Sequence, residues 1–179
     1  MNFLTLDVGS TCCKCQVFSQ DGAILFYRTA ECALSREDGG ASVDIRALWS
    51  VIRDLVRAAS ETAEITSVAV ASFGESFVLL DENDELIAYP MLYTDPRGEE
   101  QAEQVAKTLG KQKIFSVTGT VPHAMYSVYK LLWWKQNRPE IYRKADKLLL
   151  ICDYIGYLLT GKRVIDYSLA ARTGVFDIR

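Results

Sequence analysis

The sequence predicts an α/β domain in which a mixed sheet opens with three antiparallel strands and is flanked by helices. Short apolar or alternating runs at 3–6 and 14–19 flank a Gly-Ser-Thr turn, and an Asp-Gly pair leads into a third β-rich run at 23–32. Asp44 then precedes a helical period of apolar residues. A β-branched run at 65–72 follows that helix and has the composition of a buried parallel strand.

Three antiparallel strands, a helix and a parallel strand form the opening of a ribonuclease-H-like or actin-like α/β domain, and this is the architecture we expect. The rest of the chain alternates short strands with helices and shows no linker or internal repeat. Its predicted elements are a loop at 34–43, a hairpin of strands at 77–80 and 86–89, helices at 99–109, 127–136 and 139–145, a strand at 147–151, and a helix that Asp153 caps and Gly161 ends.

Composition favours small-molecule chemistry in one domain. The 179 residues are 49% hydrophobic and 24% charged, which provides enough apolar material for a sizeable core. A formal charge of -3 and a pI near 5.3 argue against a nucleic acid or a membrane surface as partner, since both attract concentrated Lys and Arg. The first residues form neither a basic leader nor a long apolar run, so we predict a cytoplasmic protein. The five cysteines are an odd number, so we predict free thiols.

The turn after the first predicted strand has the composition of a phosphate-binding site. Gly9 can adopt positive φ and lets backbone N–H groups approach an anion. Ser10 and Thr11 add hydroxyl donors, and Lys14 adds a positive charge. Asp7 would repel phosphate unless a cation intervened, so it predicts Mg²⁺ held through water. A plain hairpin turn stays open as the alternative, since Asp, Gly and Ser are common turn residues.

The pattern D-x-G-[ST]-T-x-x-K at 7–14 resembles the first phosphate motif of the actin, Hsp70 and sugar kinase superfamily. Three later segments resemble, in the family's order, the FGGY carbohydrate kinases, which include xylulokinase, glycerol kinase and gluconate kinase. They are 68–81 with Y-T-D-P-R at 93–97, then T-G and K-L-L-W within 118–133, and then D-Y-I, L-T-G, D-Y-S and T-G within 153–174. The resemblance covers nearly the whole chain.

The resemblance implies a substrate site at Glu75, Tyr93, Asp95, Met125 and Tyr126. Glu75 falls where family members place a sugar-binding polar residue, and a carboxylate can accept hydrogen bonds from vicinal hydroxyls. Tyr93 stands where many relatives have a tryptophan, and its ring can pack on the C–H side of a polyol. Asp95 either completes the cleft or pairs with Arg97. Such departures from the family pattern leave the identity of the sugar or polyol open.

The implied activity is transfer of the ATP γ-phosphoryl group to a hydroxyl of a sugar or polyol, such as a pentulose, gluconate or glycerol. ATP and Mg²⁺ are the implied cofactors, and a homodimer is one arrangement of the full-length enzyme. In family terms, residues 1–179 form an N-terminal actin-like domain that is incomplete at its C-terminal end. The general-base Asp and the second, ATP-binding domain are expected beyond Arg179, so we expect no catalytic residue in this chain and no activity from it alone.

Two other functions stay open. An activator ATPase of a 2-hydroxyacyl-CoA dehydratase has a similar opening, but it needs cysteines that bridge an iron–sulfur cluster across a dimer, and Cys32 and Cys152 offer no matching pattern. A non-catalytic sugar-binding module would keep the cleft without the catalytic half. His123, the single histidine, is assigned no role.

Overall fold

The structure is a computed structural model that describes residues 1–32, 34–37 and 40–179. The chain divides into two compact units. The first consists of Met1–Ser35 and Val43–Phe73, and the second of Arg36–Ser42 and Gly74–Arg179.

Short strands and helices alternate along the described residues. In chain order the elements are β1 Asn2–Val8, β2 Cys12–Ser19, β3 Ile24–Glu31, β4 Leu34–Glu37, β5 Gly40–Val43, α1 Ile45–Thr62, β6 Ser67–Ser72, β7 Phe77–Leu80, β8 Leu86–Ala88, α2 Glu99–Leu109, α3 Lys111–Thr118, α4 Ser127–Asn137, α5 Pro139–Lys144, β9 Lys147–Leu150, α6 Ile151–Thr160 and α7 Tyr167–Arg172. None of the described helices combines the length and the apolar character needed to cross a membrane.

The first unit is built on a four-stranded sheet of order β3-β2-β1-β6. The first three strands pair antiparallel and β6 joins β1 in parallel, which confirms the predicted opening of the sheet. Because side chains alternate between the two faces of a strand, every second residue is buried from Leu4 to Val8 in β1 and from Cys13 to Val17 in β2. The buried residues face each other across the two strands as Leu4 with Val17, Leu6 with Cys15, and Val8 with Cys13.

Helix α1 packs against β2 and β3 of this sheet. It starts at the predicted cap, where the Asp44 carboxylate accepts hydrogen bonds from the N–H groups of Arg46 and Ala47. Its apolar residues recur every three or four positions, so they form one face, and that face is buried. The buried residues are Ile45, Leu48, Ile52, Leu55 and Ala59.

The second unit contains a three-stranded sheet of order β8-β7-β9, with antiparallel pairing on both sides of β7. Strand β7 is buried at every position because neighbouring strands and helices cover it. Phe77, Leu79 and Leu150 form a core cluster against which Trp134 packs. Trp134, on α4, therefore helps to cover this core.

Two local predictions differ from the structure, and two of its helices were not predicted. Residues predicted as a loop form the paired strands β4 and β5, apart from positions 38–39, which lie outside the described residues. Asp153 does not cap α6, because that helix begins at Ile151 and Leu150 is its cap; Asp153 lies in the first turn instead. Helices α3 and α7 were not predicted, since both are short and follow Gly or Asp residues typical of turns.

Candidate functional site

The turn between β1 and β2 brings the predicted phosphate-binding residues together. The N–H of Gly9 donates to the carbonyl oxygen of Cys12 at 3.0 Å, which closes the turn. A Cβ atom on Gly9 would lie only 2.8 Å from that carbonyl oxygen, so the turn requires glycine at this position. The hydroxyls of Ser10 and Thr11 form no hydrogen bond with any residue that the structure describes, which leaves both available to a ligand.

Asp7 and Lys14 face each other across β1 and β2 on the solvent side of the sheet. Lys14 Nζ lies 3.2 Å from Asp7 Oδ2, with the two side chains 50% and 60% exposed. The hydrogen bond to the Asp7 carboxylate, and then its charge, raises the pKa of Lys14. The pair is therefore a charged, solvated feature directly beside the turn.

The turn has a single carboxylate. This donor set suits a cation that arrives bound to a ligand better than it suits a permanently bound metal. No group of three or more His, Cys, Asp or Glu side chains among the described residues is placed to hold an ion. Mg²⁺ commonly keeps several waters and binds through one or two carboxylates plus phosphate oxygens. Asp7 supplies one such carboxylate, so the donor set fits Mg²⁺ bound to a nucleotide.

Glu75, in the second unit, has an unusual backbone conformation for a buried glutamate. Its φ is 61°, in the left-handed region, and the N–H of Ser76 donates to the carbonyl oxygen of Gly74 at 2.7 Å. The hydroxyl of Ser127 donates to the Glu75 carbonyl oxygen at 2.6 Å and holds this tight turn in place. Such strain persists where surrounding contacts impose it, and it is often found at ligand sites.

The Glu75 carboxylate forms an ion pair with Arg172 of α7. Glu75 is only 3% exposed, whereas the Arg172 side chain is 46% exposed. Burial raises the pKa of Glu75, and the charge and hydrogen bond of Arg172 only partly oppose that rise. The guanidinium also lies over the ring of Tyr126, with its carbon 5.7 Å from the ring centre. The structure thus brings together two predicted substrate residues and one arginine that the sequence did not indicate.

Asp95 is buried and fully engaged by its neighbours. Its carboxylate accepts hydrogen bonds from Arg97 through the backbone N–H at 2.9 Å, Nε at 2.9 Å and a terminal nitrogen at 2.6 Å. It also accepts from the N–H of Ala41 at 2.8 Å. A Cβ atom at Gly40 would overlap both the Asp95 carboxylate and the Arg97 guanidinium, so glycine permits this close approach.

Burial alone would raise the pKa of Asp95, but the hydrogen bonds and charge of Arg97 outweigh it, and the pKa lies below its ordinary value. Lys130 lies beneath the same loop, fully buried, and donates to the carbonyl oxygen of Asp95 at 2.7 Å. Burial lowers the pKa of Lys130 to about 8 although the Asp95 charge opposes this. The electrostatic influence of Lys130 also reaches Glu75. Helix α4, which carries Lys130 and Ser127, therefore supports both acidic groups.

The structure gives Tyr93 and Met125 less defined roles. Both are partly buried, and neither side chain forms a hydrogen bond within the part of the chain that the structure describes.

Sequence reasoning missed Arg172 and Lys130 as site residues because their partners are distant along the chain. The only signal for them was their presence in the family-like segments, next to T-G and within K-L-L-W.

Comparison with known proteins identifies the family. Residues 2–179 match the family model described as the FGGY family of carbohydrate kinases, N-terminal domain. Rhamnulokinase of Halalkalibacterium halodurans is 33% identical over 131 residues, which are 73% of this chain and 28% of that protein. Gluconokinase of Bacillus subtilis is 29% identical over 180 residues, covering 98% of this chain and 35% of that protein. The chain thus spans about a third of the length of these curated relatives.

Solved structures agree with the sequence relatives. Gluconate kinase from Lactobacillus acidophilus aligns with 99% of this chain and 37% of its own, with a TM-score of 0.92 and 26% identity. The ligand-bound xylulose kinase from the same species gives the same coverage, TM-score and identity. The predicted actin-like α/β fold is confirmed, and the family match decides against the dehydratase-activator alternative. The chain belongs to the FGGY family of carbohydrate kinases.

Proposed function

We propose that the protein phosphorylates a sugar or polyol with ATP, and that this chain supplies its phosphate-binding turn and part of its sugar site. The observation that carries the proposal is the buried, left-handed Glu75 at the position where family members place a sugar-binding polar residue. The relatives named as kinases of gluconate, xylulose and rhamnulose define the substrate classes that we expect. We also expect a cytoplasmic enzyme.

For the nucleotide, backbone N–H groups at the Gly9 turn and the hydroxyls of Ser10 and Thr11 would bind phosphate oxygens. Lys14 would contribute positive charge once the phosphates compete for it with Asp7. Asp7 would hold Mg²⁺ through water, and the ion would neutralise phosphate charge. Catalysis by these groups consists of positioning and charge neutralisation rather than covalent chemistry.

For the sugar, the polar groups around Glu75 supply the expected contacts. The hydroxyl of Ser76 is buried without a hydrogen-bond partner among the described residues, and a buried polar group of this kind usually binds water or a ligand. Arg172 is half-exposed and keeps N–H donors for a substrate oxygen while it pairs with Glu75. Tyr93, Met125 and Tyr126 would form the apolar side of the site.

Asp95 has a different proposed role from the one implied by resemblance alone. Because Arg97 and Ala41 already occupy both of its oxygens, Asp95 acts as a positioning residue for the loop that carries Tyr93. The general base and the adenosine site would come from the remaining two thirds of a kinase of the relatives' length. A homodimer is one arrangement that the full-length enzyme could adopt. On this basis the chain alone should show no sugar-dependent ATP turnover.

A coupled ADP-release assay on the full-length protein tests the proposal. We expect turnover with at least one of gluconate, xylulose, rhamnulose and glycerol. Asp7→Asn should lower kcat by about 100-fold, since it removes the metal-facing charge from a preorganised site. Asp21→Asn, on the exposed turn after β2, is the matched control and should leave kcat unchanged. Absence of turnover with the whole panel, or full activity of Asp7→Asn, would contradict the proposal.

A further inference from the structure

Two cysteines that are well separated in the sequence lie in contact in the first unit. Cys13 is fully buried in β2, and Cys32, just after β3, is partly exposed. Their sulfur atoms are 3.4 Å apart. The sequence showed only a crowded group at 12–15 and a remote Cys32, so this pair becomes visible only through the fold.

The strand register explains the contact. Cys13 pairs with Ala30, and Cys32 follows two residues later, so both side chains lie on the same face of the sheet as diagonal neighbours. The two nearby cysteines are placed differently. Cys15 is fully buried, with its sulfur 3.9 Å from the carbonyl oxygen of Leu55, and Cys12 is on the opposite face because strand side chains alternate.

The two thiols of the pair differ in reactivity. The hydrogen bond between the two sulfur atoms lowers the pKa of Cys32, although burial opposes this. The pKa of Cys13 is raised, first by its hydrogen bond with Cys32 and then by burial. Because the thiolate is the reactive form, the partly exposed Cys32 is the thiol that meets an oxidant first, and Cys13 stays protonated beside it.

We propose that Cys13 and Cys32 are an oxidation site. A hydroperoxide oxidises the two thiols to a reversible intramolecular disulfide. The Cys32 thiolate attacks a peroxide oxygen, the O–O bond breaks, and Cys32 becomes a sulfenic acid, while the leaving hydroxide takes up the proton that Cys32 had released and forms water. The Cys13 sulfur then attacks the Cys32 sulfur, the S–O bond breaks, and the Cys13 proton leaves with the hydroxyl as water. Overall the two thiols lose two electrons and two protons, and hydrogen peroxide is reduced to two molecules of water. A dithiol reverses the reaction by exchange.

The disulfide would act on the phosphate-binding turn, a consequence that rests on the proposed function. A disulfide requires the sulfur atoms to approach from 3.4 Å to about 2.05 Å. The Cys32 N–H donates to the carbonyl oxygen of Thr11 at 2.9 Å, and Thr11 is two residues before Cys13. Both ends of the cross-link are therefore attached directly to the turn. We expect oxidation to displace Thr11 and to weaken nucleotide binding several-fold.

Peptide mapping tests the oxidation site without reference to nucleotide. The reduced protein is treated with hydrogen peroxide, blocked with N-ethylmaleimide, and digested with trypsin without reductant. We expect residues 1–14 and 29–36 as one linked peptide, which dithiothreitol releases. The link should persist in Cys12→Ser and disappear in Cys13→Ala and in Cys32→Ser, with folding of each variant checked by circular dichroism. An unlinked wild type, or a link that is lost in Cys12→Ser and kept in Cys13→Ala, would overturn the proposal.

Nucleotide titration of the full-length protein then separates the effect of the disulfide on the turn from the kinase proposal. A non-hydrolysable ATP analogue with Mg²⁺ should bind the reduced form, bind the oxidised form several-fold more weakly, and regain its affinity after dithiothreitol. Cys32→Ser should bind equally before and after peroxide. Equal affinity of the reduced and oxidised wild type would overturn the effect on the turn. Failure of the reduced protein to bind would count against the kinase proposal, while peptide mapping would still decide the disulfide.

Discussion

Two segments of the second unit contain the same Asp-x-Arg pattern and form the same local structure. In both, the aspartate accepts from the backbone N–H of the arginine, from its Nε and from a terminal nitrogen. These distances are 2.9, 2.9 and 2.6 Å for Asp95 with Arg97, and 3.0, 3.0 and 2.8 Å for Asp177 with Arg179. Local sequence is therefore sufficient to produce this hydrogen-bonded arrangement.

The surroundings of the two pairs differ completely. The side chains of Asp95 and Arg97 are 0% and 13% exposed, whereas those of Asp177 and Arg179 are 51% and 65% exposed. Water can replace the partners of the exposed pair, but it cannot reach Asp95. The hydrogen-bond geometry of a charged pair therefore does not indicate its contribution to stability, which depends on burial.

The largest expected effect comes from breaking the buried pair. Asp95→Asn keeps the shape of the side chain but leaves the Arg97 guanidinium and the Lys130 ammonium without their counter-charge. We expect the free energy of unfolding to fall by about 3 kcal/mol, measured by urea denaturation. The matched change Asp177→Asn should give no measurable loss. Equal losses in the two variants would show that local geometry, rather than burial, determines stability.

An intermediate effect is expected at the Glu75–Arg172 pair, where one partner is buried and the other half-exposed. Arg172→Met should lower the free energy of unfolding by about 1–2 kcal/mol near pH 8, since solvent already screens the arginine. Without Arg172 the pKa of Glu75 rises further above its ordinary value of 4.5, so the protein increasingly keeps this group neutral. The loss should therefore be smaller at pH 5 than at pH 8.

The double variant Glu75→Gln with Arg172→Met is the control for this pair. The double variant removes the uncompensated Glu75 charge. Its stability should therefore lack the pH dependence expected for the Arg172→Met variant. A loss from Arg172→Met that is equal at pH 5 and pH 8 would mean that the Glu75 charge is not the cause.

An effect of opposite sign is expected at Asp153. Burial, and then the charge of Asp166, raises its pKa from 3.8 to about 6, against a hydrogen bond from the Leu150 backbone. Between pH 3.8 and 6 the folded protein therefore keeps a proton on Asp153 that the unfolded chain releases. The stability that this proton provides is full below pH 3.8 and is lost as the pH rises through 6.

Asp153→Asn should consequently raise the free energy of unfolding by about 2–3 kcal/mol at pH 7.5 and leave it unchanged at about pH 3, below both pKa values. Asp54→Asn on the exposed side of α1 serves as the control and should change neither value. Thermal or urea unfolding across this pH range measures both variants. A stability gain in Asp153→Asn that is the same at both pH values would rule out ionisation as its origin.

The sequence predicted those parts of the molecule that depend on local patterns. Alternation in β1 and β2, the Asp44 cap and the apolar period of α1 each require only neighbouring residues, and the structure confirms them. The strands β4 and β5 were missed because their residues, rich in Gly, Ser and charged groups, have turn-like composition and form strands only by pairing with each other.

The candidate site was predicted less completely for a related reason. The phosphate turn is contiguous, so the sequence could indicate all of its residues together. Arg172 approaches Glu75 across 97 positions, the difference between 172 and 75, and no local pattern encodes such a contact. Similarly, Asp153 was predicted as a cap because acidic residues are common both at the cap and in the first turn, and composition does not distinguish the two.

The glycine at position 40 has a consequence for how this protein tolerates variation. Its missing side chain is the space in which the Asp95 carboxylate and the Arg97 guanidinium lie. Substitutions at these three positions should therefore show strong epistasis. In a saturation library, larger residues at position 40 would survive selection mainly when position 95 or 97 has become smaller.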